Sequence, residues 1–212
     1  VCTAALIASG LTLFSGFGLG TLLLPTFALF FPIAIAVAMT AIVHLLNNLF
    51  KLVLVGRHAD IRVALRFGIP ALAFSSLGAL LLVRLAAMAP VLRYDLFGTG
   101  HEVTPVALVI AIMMIAFAII DVSPRFERLA IDARHLPLGG ALSGFFGGVS
   151  GHQGALRSAF LLKCGLSKPA FIGTGVVISC LVDLVRIVVY TSRYRFDPGD
   201  GGMGLLVAAV LA

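Results

Sequence analysis

The sequence has few charged residues and lacks the short motifs that mark common soluble enzymes. Only 11% of its 212 residues are charged, whereas soluble domains carry roughly 25%. It contains no phosphate-binding loop, no paired catalytic carboxylates and no zinc-ligand spacing. Its three cysteines are too far apart for a CxxC pair or a metal site. No basic segment precedes the first apolar run, so the sequence predicts no cleavable signal peptide.

Apolar residues take the place of the missing charge. They make up 60% of the chain, and the mean hydropathy is +1.13. Because a membrane span needs about 20 mostly apolar residues, the runs predict an all-α, polytopic helical bundle of about seven spans. The runs cover residues 1–31, 33–55, 61–89, 103–120, 136–162, 169–190 and a shorter segment from 202.

The basic residues lie mostly between these runs. The net charge is +6, but no basic stripe interleaved with aromatic residues occurs, so we expect no nucleic-acid partner. If every run crosses the membrane once, loops 56–60, 121–135 and 191–201 share one side. Eight Lys and Arg residues lie in or beside these loops, against four on the other side. The positive-inside rule then places the three loops in the cytoplasm.

Two glycine-rich segments interrupt the first and fifth runs. They are residues 15–20, which hold Gly16, Gly18 and Gly20, and residues 147–154, which hold Gly148, Gly151 and Gly154. Such segments are typical of helices that break within the membrane, where the freed backbone groups need polar neighbours. The alternative is that these glycines allow close helix packing.

The two segments belong to an internal repeat. A shift of 135 residues places Ser15-Gly16 on Ser150-Gly151, Asn48 on Asp183 and Lys51 on Arg186. We therefore predict a first transmembrane repeat over 1–120, a cytoplasmic linker over 121–135 and a second repeat over 136–212. Secondary transporters are built from such repeats, with the substrate site between them. Single crossings would make the repeats parallel, whereas re-entrant hairpins at the glycine breaks could invert them.

The order of these elements resembles a known family. Residues 15–25 (SGFGLGTLLLP), the helix over 37–48 and the basic segment 57–66 resemble the first half of the TauE/SafE family of sulfite and organosulfonate exporters. Residues 140–186 resemble its second half. The resemblance implies an exporter of sulfite, or of an organosulfonate such as sulfoacetate, in the bacterial inner membrane, working by alternating access with proton coupling as an option. It also implies an eighth span after the seventh run. The chain departs from the family pattern at His152-Gln153 and at Phe160, which stands where the first half has proline.

Several polar residues within the runs are candidates for the site. An ionisable side chain inside a span costs about 2.5–3.5 kcal/mol on insertion scales, so Lys51 and Arg186 need a reason. We expect them to face each other across the repeat interface and to hold an anion. The alternatives are snorkelling to the headgroups and a local Asp183–Arg186 ion pair. The predicted substrate-binding residues are Asn47, Asn48, Lys51, His152, Gln153, Arg157, Asp183 and Arg186, and the predicted proton carriers are Asp183 and His44.

Two other functions stay open at this point. One is uptake of a sulfur anion with participation of Cys180. The other is a rhomboid-like intramembrane protease that uses Ser150 in a GxSG motif with His44 as its base. A base must come within hydrogen-bond reach of the serine, and no histidine follows His152, so we expect no enzyme. We expect no cofactor and no metal, and as partners a small anion, the lipid bilayer and a second copy in a homodimer.

Overall fold

The computed structural model describes residues 19–123 and 131–193. Gly16, Gly18 and the run from residue 202 lie outside the described residues. A short 3-10 turn precedes α3, and another precedes α5. The elements are α1 (Leu19–Ala28), α2 (Ile33–Val55), α3 (Ile61–Ala86), β1 (Leu92–Leu96), β2 (Thr99–Val103), α4 (Pro105–Val122), α5 (Leu136–Ser150), α6 (Gly154–Leu161) and α7 (Lys168–Arg193).

Three of these helices, α2, α3 and α7, are long and apolar enough to cross a membrane, and α4 is a shorter apolar helix. At 1.5 Å per residue, α3 is about 39 Å long, more than the hydrocarbon thickness of about 30 Å. Asp60 starts α3 by accepting hydrogen bonds from the Arg62 and Val63 amides, as a helix N-cap does. The apolar helices of membrane-spanning length confirm the predicted helical architecture, while the count of seven spans stays a prediction.

The expectation of an all-α chain is wrong between α3 and α4. There β1 and β2 pair antiparallel, with Leu92 opposite Val103. Phe97 and Gly98, at the turn, both have positive φ, 52° and 75°. Two positive φ values in a two-residue loop are typical of the turns that match strand twist, and this explains why a short connection closes into a hairpin.

The fifth apolar run does not cross the membrane once but turns back on itself. Helix α5 ends at Gly151, whose φ of +84° is left-handed and favours glycine. The Phe160 ring of α6 then packs against Gly139 near the start of α5, and the Ile131 amide donates to the Ala159 carbonyl at 3.0 Å. Helices α5 and α6 therefore form a re-entrant hairpin, which was the second of the two sequence-based alternatives.

The break in this run is also shorter than predicted. Only residues 151–153 are non-helical, since Gly148 lies in α5 and Gly154 is the first residue of α6. Likewise Gly20 lies within α1. For Gly148 the packing alternative is the better explanation, because an ideal Cβ there would collide with the Ser75 carbonyl of α3.

A glycine stripe on α5 sets how deep the hairpin reaches. Position by position, an ideal Cβ at Gly140, Gly144 and Gly148 would collide with the carbonyl oxygens of Phe67, Ala71 and Ser75. The residue numbers of the two helices increase in the same direction, so α5 runs parallel to α3, with the two backbones in contact. Because Ser75 lies near the middle of α3, the tip of the hairpin lies near the middle of the bundle.

Helix α7 runs antiparallel to α2. The Asp60 amide, just after α2, donates to Thr174 Oγ1 at 2.9 Å, near the start of α7. Further along α7, Asp183 accepts from Asn48 Nδ2 at 3.2 Å. Thr191, near the end of α7, therefore lies on the opposite side of the bundle from the Gly56–His58 turn. The expectation that residue 191 lies on the same side as loop 56–60 is wrong. The error follows from counting the hairpin as a crossing.

Element boundaries repeat with the offset seen in the sequence. Helices α2 and α7 begin at Ile33 and Lys168. These starts are 135 positions apart, the same separation as Asn48 and Asp183.

The buried apolar residues form two clusters. One joins α1 and α2 to the second half of α3 and to α4, with Phe27, Met39 and Leu82 at its centre. The other joins the first half of α3 to the hairpin and α7, with Phe67 and Ile178 at its centre. Polar side chains lie between the hairpin tip, α2 and α7.

Candidate functional site

Asp183 is the centre of the polar cluster and is fully buried. Its Oδ2 lies 2.6 Å from His44 Nδ1 and accepts from Asn48 Nδ2 at 3.2 Å. Its Oδ1 accepts from Arg186 Nε at 3.0 Å and lies 2.8 Å from Arg186 Nη2. One carboxylate thus joins α2 to α7, with a cation on one oxygen and an imidazole on the other.

The His44–Asp183 contact holds a titratable proton. An ionised carboxylate only accepts hydrogen bonds, so at 2.6 Å one proton must lie between the two groups, carried by either partner. Asn48 is one helical turn after His44 and reaches the same oxygen. The two residues therefore share one face of α2 toward Asp183.

Arg186 connects Asp183 to the hairpin tip. Its side chain is only 1% exposed, which excludes snorkelling for this residue. Its Nη1 lies 2.6 Å from the position of an ideal Cβ on Gly151, so the guanidinium rests on the bare backbone of the turn. Among the described residues Nη1 has no hydrogen-bond partner, and it remains available to a ligand.

The two residues after Gly151 add further unpartnered polar atoms. His152 and Gln153 are buried. The His152 ring stacks on Phe117 with centroids 5.6 Å apart, and its Nδ1 lies 3.1 Å from Ser150 Oγ. Within the described part of the chain, His152 Nε2 and both amide atoms of Gln153 have no partner. A buried polar atom without a partner costs about 1–3 kcal/mol, so contact with a further polar group would stabilise these atoms.

Two more cations lie beside this tip. Arg157 on α6 is buried, donates from Nη1 to Ser179 Oγ on α7, and packs its Nε 3.3 Å from an ideal Cβ on Gly175. Lys51 of α2 is half-buried and lies within electrostatic range of Arg157. Arg157 in turn interacts with Asp183, so the cations belong to one cluster.

The structure brings together most of the predicted site residues. His44, Asn48, Lys51, Arg157, Asp183 and Arg186 meet with His152 and Gln153 around the hairpin tip. Lys51 lies within electrostatic range of Arg157, and its predicted pairing with Arg186 stays a prediction. Asn47 is half-buried beside Asn48, and the hydrogen bonds found among the described residues do not include it. The local Asp183–Arg186 ion pair, weighed as an alternative, is present.

Sequence reasoning missed the residues that support the cluster from behind. Ser179 accepts from Arg157, and Tyr190 donates to the Gly148 carbonyl and so ties α7 to the hairpin. Ser179 is four residues before Asp183, which places both on one helical face; that spacing was a usable signal. No local sequence pattern identifies Tyr190, because its hydrogen-bond partner is on another helix.

The geometry argues against a serine protease. Ser150 Oγ donates to the Phe146 carbonyl at 3.1 Å, within its own helix. His44, the base that this alternative requires, is bonded to Asp183. His152 reaches Ser150, but its other ring nitrogen has no partner among the described residues. A catalytic triad needs a serine, a base and a group that orients the base, and this arrangement is not formed here.

Comparison with known families decides the class of protein. The profile described as "Sulfite exporter TauE/SafE" matches residues 1–212, the whole sequence. The chain belongs to the TauE/SafE family. The resemblance found from the sequence is thereby confirmed, and with it a membrane transporter of a sulfur-anion exporter family. Membership of a transporter family is consistent with the expectation that the protein is not an enzyme. No curated protein and no solved structure matches the chain significantly.

Proposed function

We propose that this TauE/SafE protein exports a small sulfur oxyanion, sulfite or an organosulfonate such as sulfoacetate, through a site between the α5–α6 hairpin tip, α2 and α7. The observation that carries the proposal is the pair of buried, unpartnered donors at that place. Arg186 Nη1 and Gln153 Nε2 lack partners among the described residues, and both can donate to an anionic oxygen.

The charge balance supports an anion over a cation or a neutral solute. Among the described residues, the cluster holds three cations, Lys51, Arg157 and Arg186, and one carboxylate, Asp183. Buried charge without compensation is costly, and a bound anion supplies the missing negative charge. Helix α6 begins at Gly154, so its N-terminal amides and positive dipole end lie at the tip and favour the same sign.

Alternating access is supported by the relation between α2 and α7. The two helices are antiparallel, begin 135 positions apart, and touch through Asn48 and Asp183, which are also 135 apart. Contact between equivalent residues of antiparallel helices is expected where a pseudo-two-fold axis lies in the membrane plane. We therefore propose that repeats 1–120 and 136–212 are inverted, an arrangement in which exchanging the conformations of the halves opens the opposite side.

Proton coupling is supported by the contacts of Asp183. While Asp183 is ionised, it occupies Arg186 Nε and Nη2. A proton taken up from solution by the His44–Asp183 pair and carried on Asp183 removes the negative charge that holds Arg186 and makes its N–H groups available to the anion. Proton and anion would then favour each other's binding, and this linkage is reciprocal.

The basic residues support a cytoplasmic position for the Gly56–His58 turn. Six Lys and Arg of the described residues lie on its side of the bundle and three lie on the other, a bias that follows the positive-inside rule. The first set is Arg57, Arg62, Arg66, Arg134, Lys163 and Lys168, and the second is Arg84, Arg93 and Arg193. We propose a multi-pass protein of the bacterial inner membrane; the homodimer stays a prediction.

The test is efflux of sulfite from proteoliposomes that contain the purified protein. Lys51→Met keeps an apolar stem of similar length and removes a cation of the cluster, so we expect flux to be lost. Arg57→Met is the matched control, because Arg57 is an exposed cation beyond the end of α2 and its loss should leave flux unchanged. Wild-type flux in Lys51→Met, or equal loss in both variants, would contradict the proposed site.

A further inference from the structure

We infer that the site selects an oxyanion that still carries a proton, such as hydrogensulfite, over anions of similar size without an O–H group. This inference rests on the proposed function. Its starting point is Gln153, which is 1% exposed and whose Oε1 and Nε2 both lack partners among the described residues. A buried amide with both ends unpartnered offers a ligand one acceptor and one donor.

The acceptor is what distinguishes the two kinds of anion. The cations around the site, Arg157, Arg186 and Lys51, are donors only, and they can all be satisfied by the oxygens of any oxyanion. Gln153 Oε1 needs a donor, which a fully deprotonated anion or a simple alkylsulfonate cannot supply. Rotating the amide by 180° exchanges the positions of its N and O and still presents one donor and one acceptor.

His152 places a second acceptor beside the first. Ser150 Oγ gives its hydrogen to the Phe146 carbonyl, so it can only accept from His152 Nδ1, 3.1 Å away. In a neutral ring the proton is then on Nδ1, and Nε2 presents a lone pair. This Nε2 is also buried and unpartnered among the described residues.

Contacts of the Gln153 backbone and Cβ restrict the position of its side-chain amide. The Gln153 amide N–H donates to the Gly151 carbonyl at 3.1 Å, and its carbonyl accepts from Ser143 Oγ at 3.1 Å. Its Cβ lies 3.1 Å from an ideal Cβ on Gly147, which limits rotation of the stem. An acceptor fixed before the ligand arrives discriminates more strongly than one that must be ordered on binding.

Sites built to hydrogen-bond a substrate hydroxyl reject analogues that lack it, because the buried partner is then left unpaired. We therefore expect the KM of the wild type for hydrogensulfite to be about 10- to 150-fold below that for methanesulfonate, the range of one hydrogen bond to a charged group. Gln153→Met should reduce this ratio, because His152 Nε2 is then the one acceptor of the two that remains. Gln153→Glu keeps the acceptor oxygens and loses the donor, so it should weaken both anions and keep the preference.

The experiment measures zero-gradient exchange of each anion in proteoliposomes with equal pH inside and outside, on both sides of the hydrogensulfite ionisation. Methanesulfonate does not titrate in this range, so its pH response reports the protein's own groups, among them His44, His152 and Asp183. The rate of sulfite exchange, divided by the rate of methanesulfonate exchange at the same pH, should follow the hydrogensulfite concentration. Equal KM values for the two anions in the wild type, or an unchanged ratio in Gln153→Met, would overturn the inference while leaving export intact. Absence of exchange for every sulfur anion would instead overturn the proposed function, and this inference with it.

Discussion

Arg186→Met is the substitution that tests the site most directly. It removes a hydrogen bond at 3.0 Å and an ion-pair contact at 2.8 Å to Asp183 Oδ1, and the unpartnered Nη1 beside Gly151. Removing one partner of a buried ion pair costs about 3–5 kcal/mol. Because His44 remains 2.6 Å from the other carboxylate oxygen and can share its proton, we expect the lower end, about 3 kcal/mol.

The double variant separates folding from function. Adding Asp183→Asn removes the stranded charge and keeps a side chain of the same size that can still contact Asn48 and His44. We expect it to recover most of the lost stability but none of the flux, since the cation that faces the hairpin tip is still absent. Stability is measured by thermal unfolding of the detergent-solubilised protein, and flux by sulfite efflux from proteoliposomes matched for protein content.

Two results would refute this reasoning. Wild-type flux in Arg186→Met would show that Arg186 only anchors Asp183 and that the anion binds elsewhere. Recovery of flux in the Arg186→Met/Asp183→Asn variant would show that the single substitution acted through folding. Loss of flux by at least the 10-fold expected from one missing charged hydrogen bond, persisting in the double variant, is the expected outcome.

Three other substitutions test the hairpin and its neighbours. Gly151→Ala should cost about 1–2 kcal/mol for a left-handed alanine and displace Arg186, so both the melting temperature and efflux should fall. Ser150→Ala loses the hydrogen bonds of Ser150 Oγ with the Phe146 carbonyl and with His152, about 1 kcal/mol each; efflux should drop only mildly, and a peptide-cleavage assay of the wild type should stay negative, whereas cleavage abolished by this change would indicate a protease. His44→Gln keeps a donor for Asp183 but cannot pass on a proton, so efflux of methanesulfonate, which does not ionise in this pH range, should stop responding to an imposed pH gradient; a wild-type response would place the coupling proton elsewhere.

Much of the framework was predictable because it is local in the sequence. Helices α2, α3 and α7 follow from the length of the apolar runs, and their starts agree with those runs within a few residues. The Asp183–Arg186 pair follows from three-residue spacing on a helix. The 135-residue offset was visible in single residues before it reappeared in the element boundaries.

The hairpin could not be predicted from run length. Residues 136–162 are long enough to cross a bilayer, and hydropathy is the same whether a helix continues or turns back. The direction is decided by one left-handed glycine, Gly151, and by packing of Phe160 on Gly139. That contact joins positions 21 residues apart in sequence and leaves no periodic signal.

This one reversal determines where the site can be. With α5 and α6 folded into a hairpin, α7 starts on the side where α2 ends, as the Asp60–Thr174 hydrogen bond shows. Helices α2 and α7 then run antiparallel, and their middles cross at Asn48 and Asp183. The hairpin tip stops at the same depth, because its glycine stripe meets α3 only as far as Ser75 and Gly78. A single crossing would instead have carried residues 151–153 past the middle of α3, leaving Arg186 without the backbone surface on which it now rests.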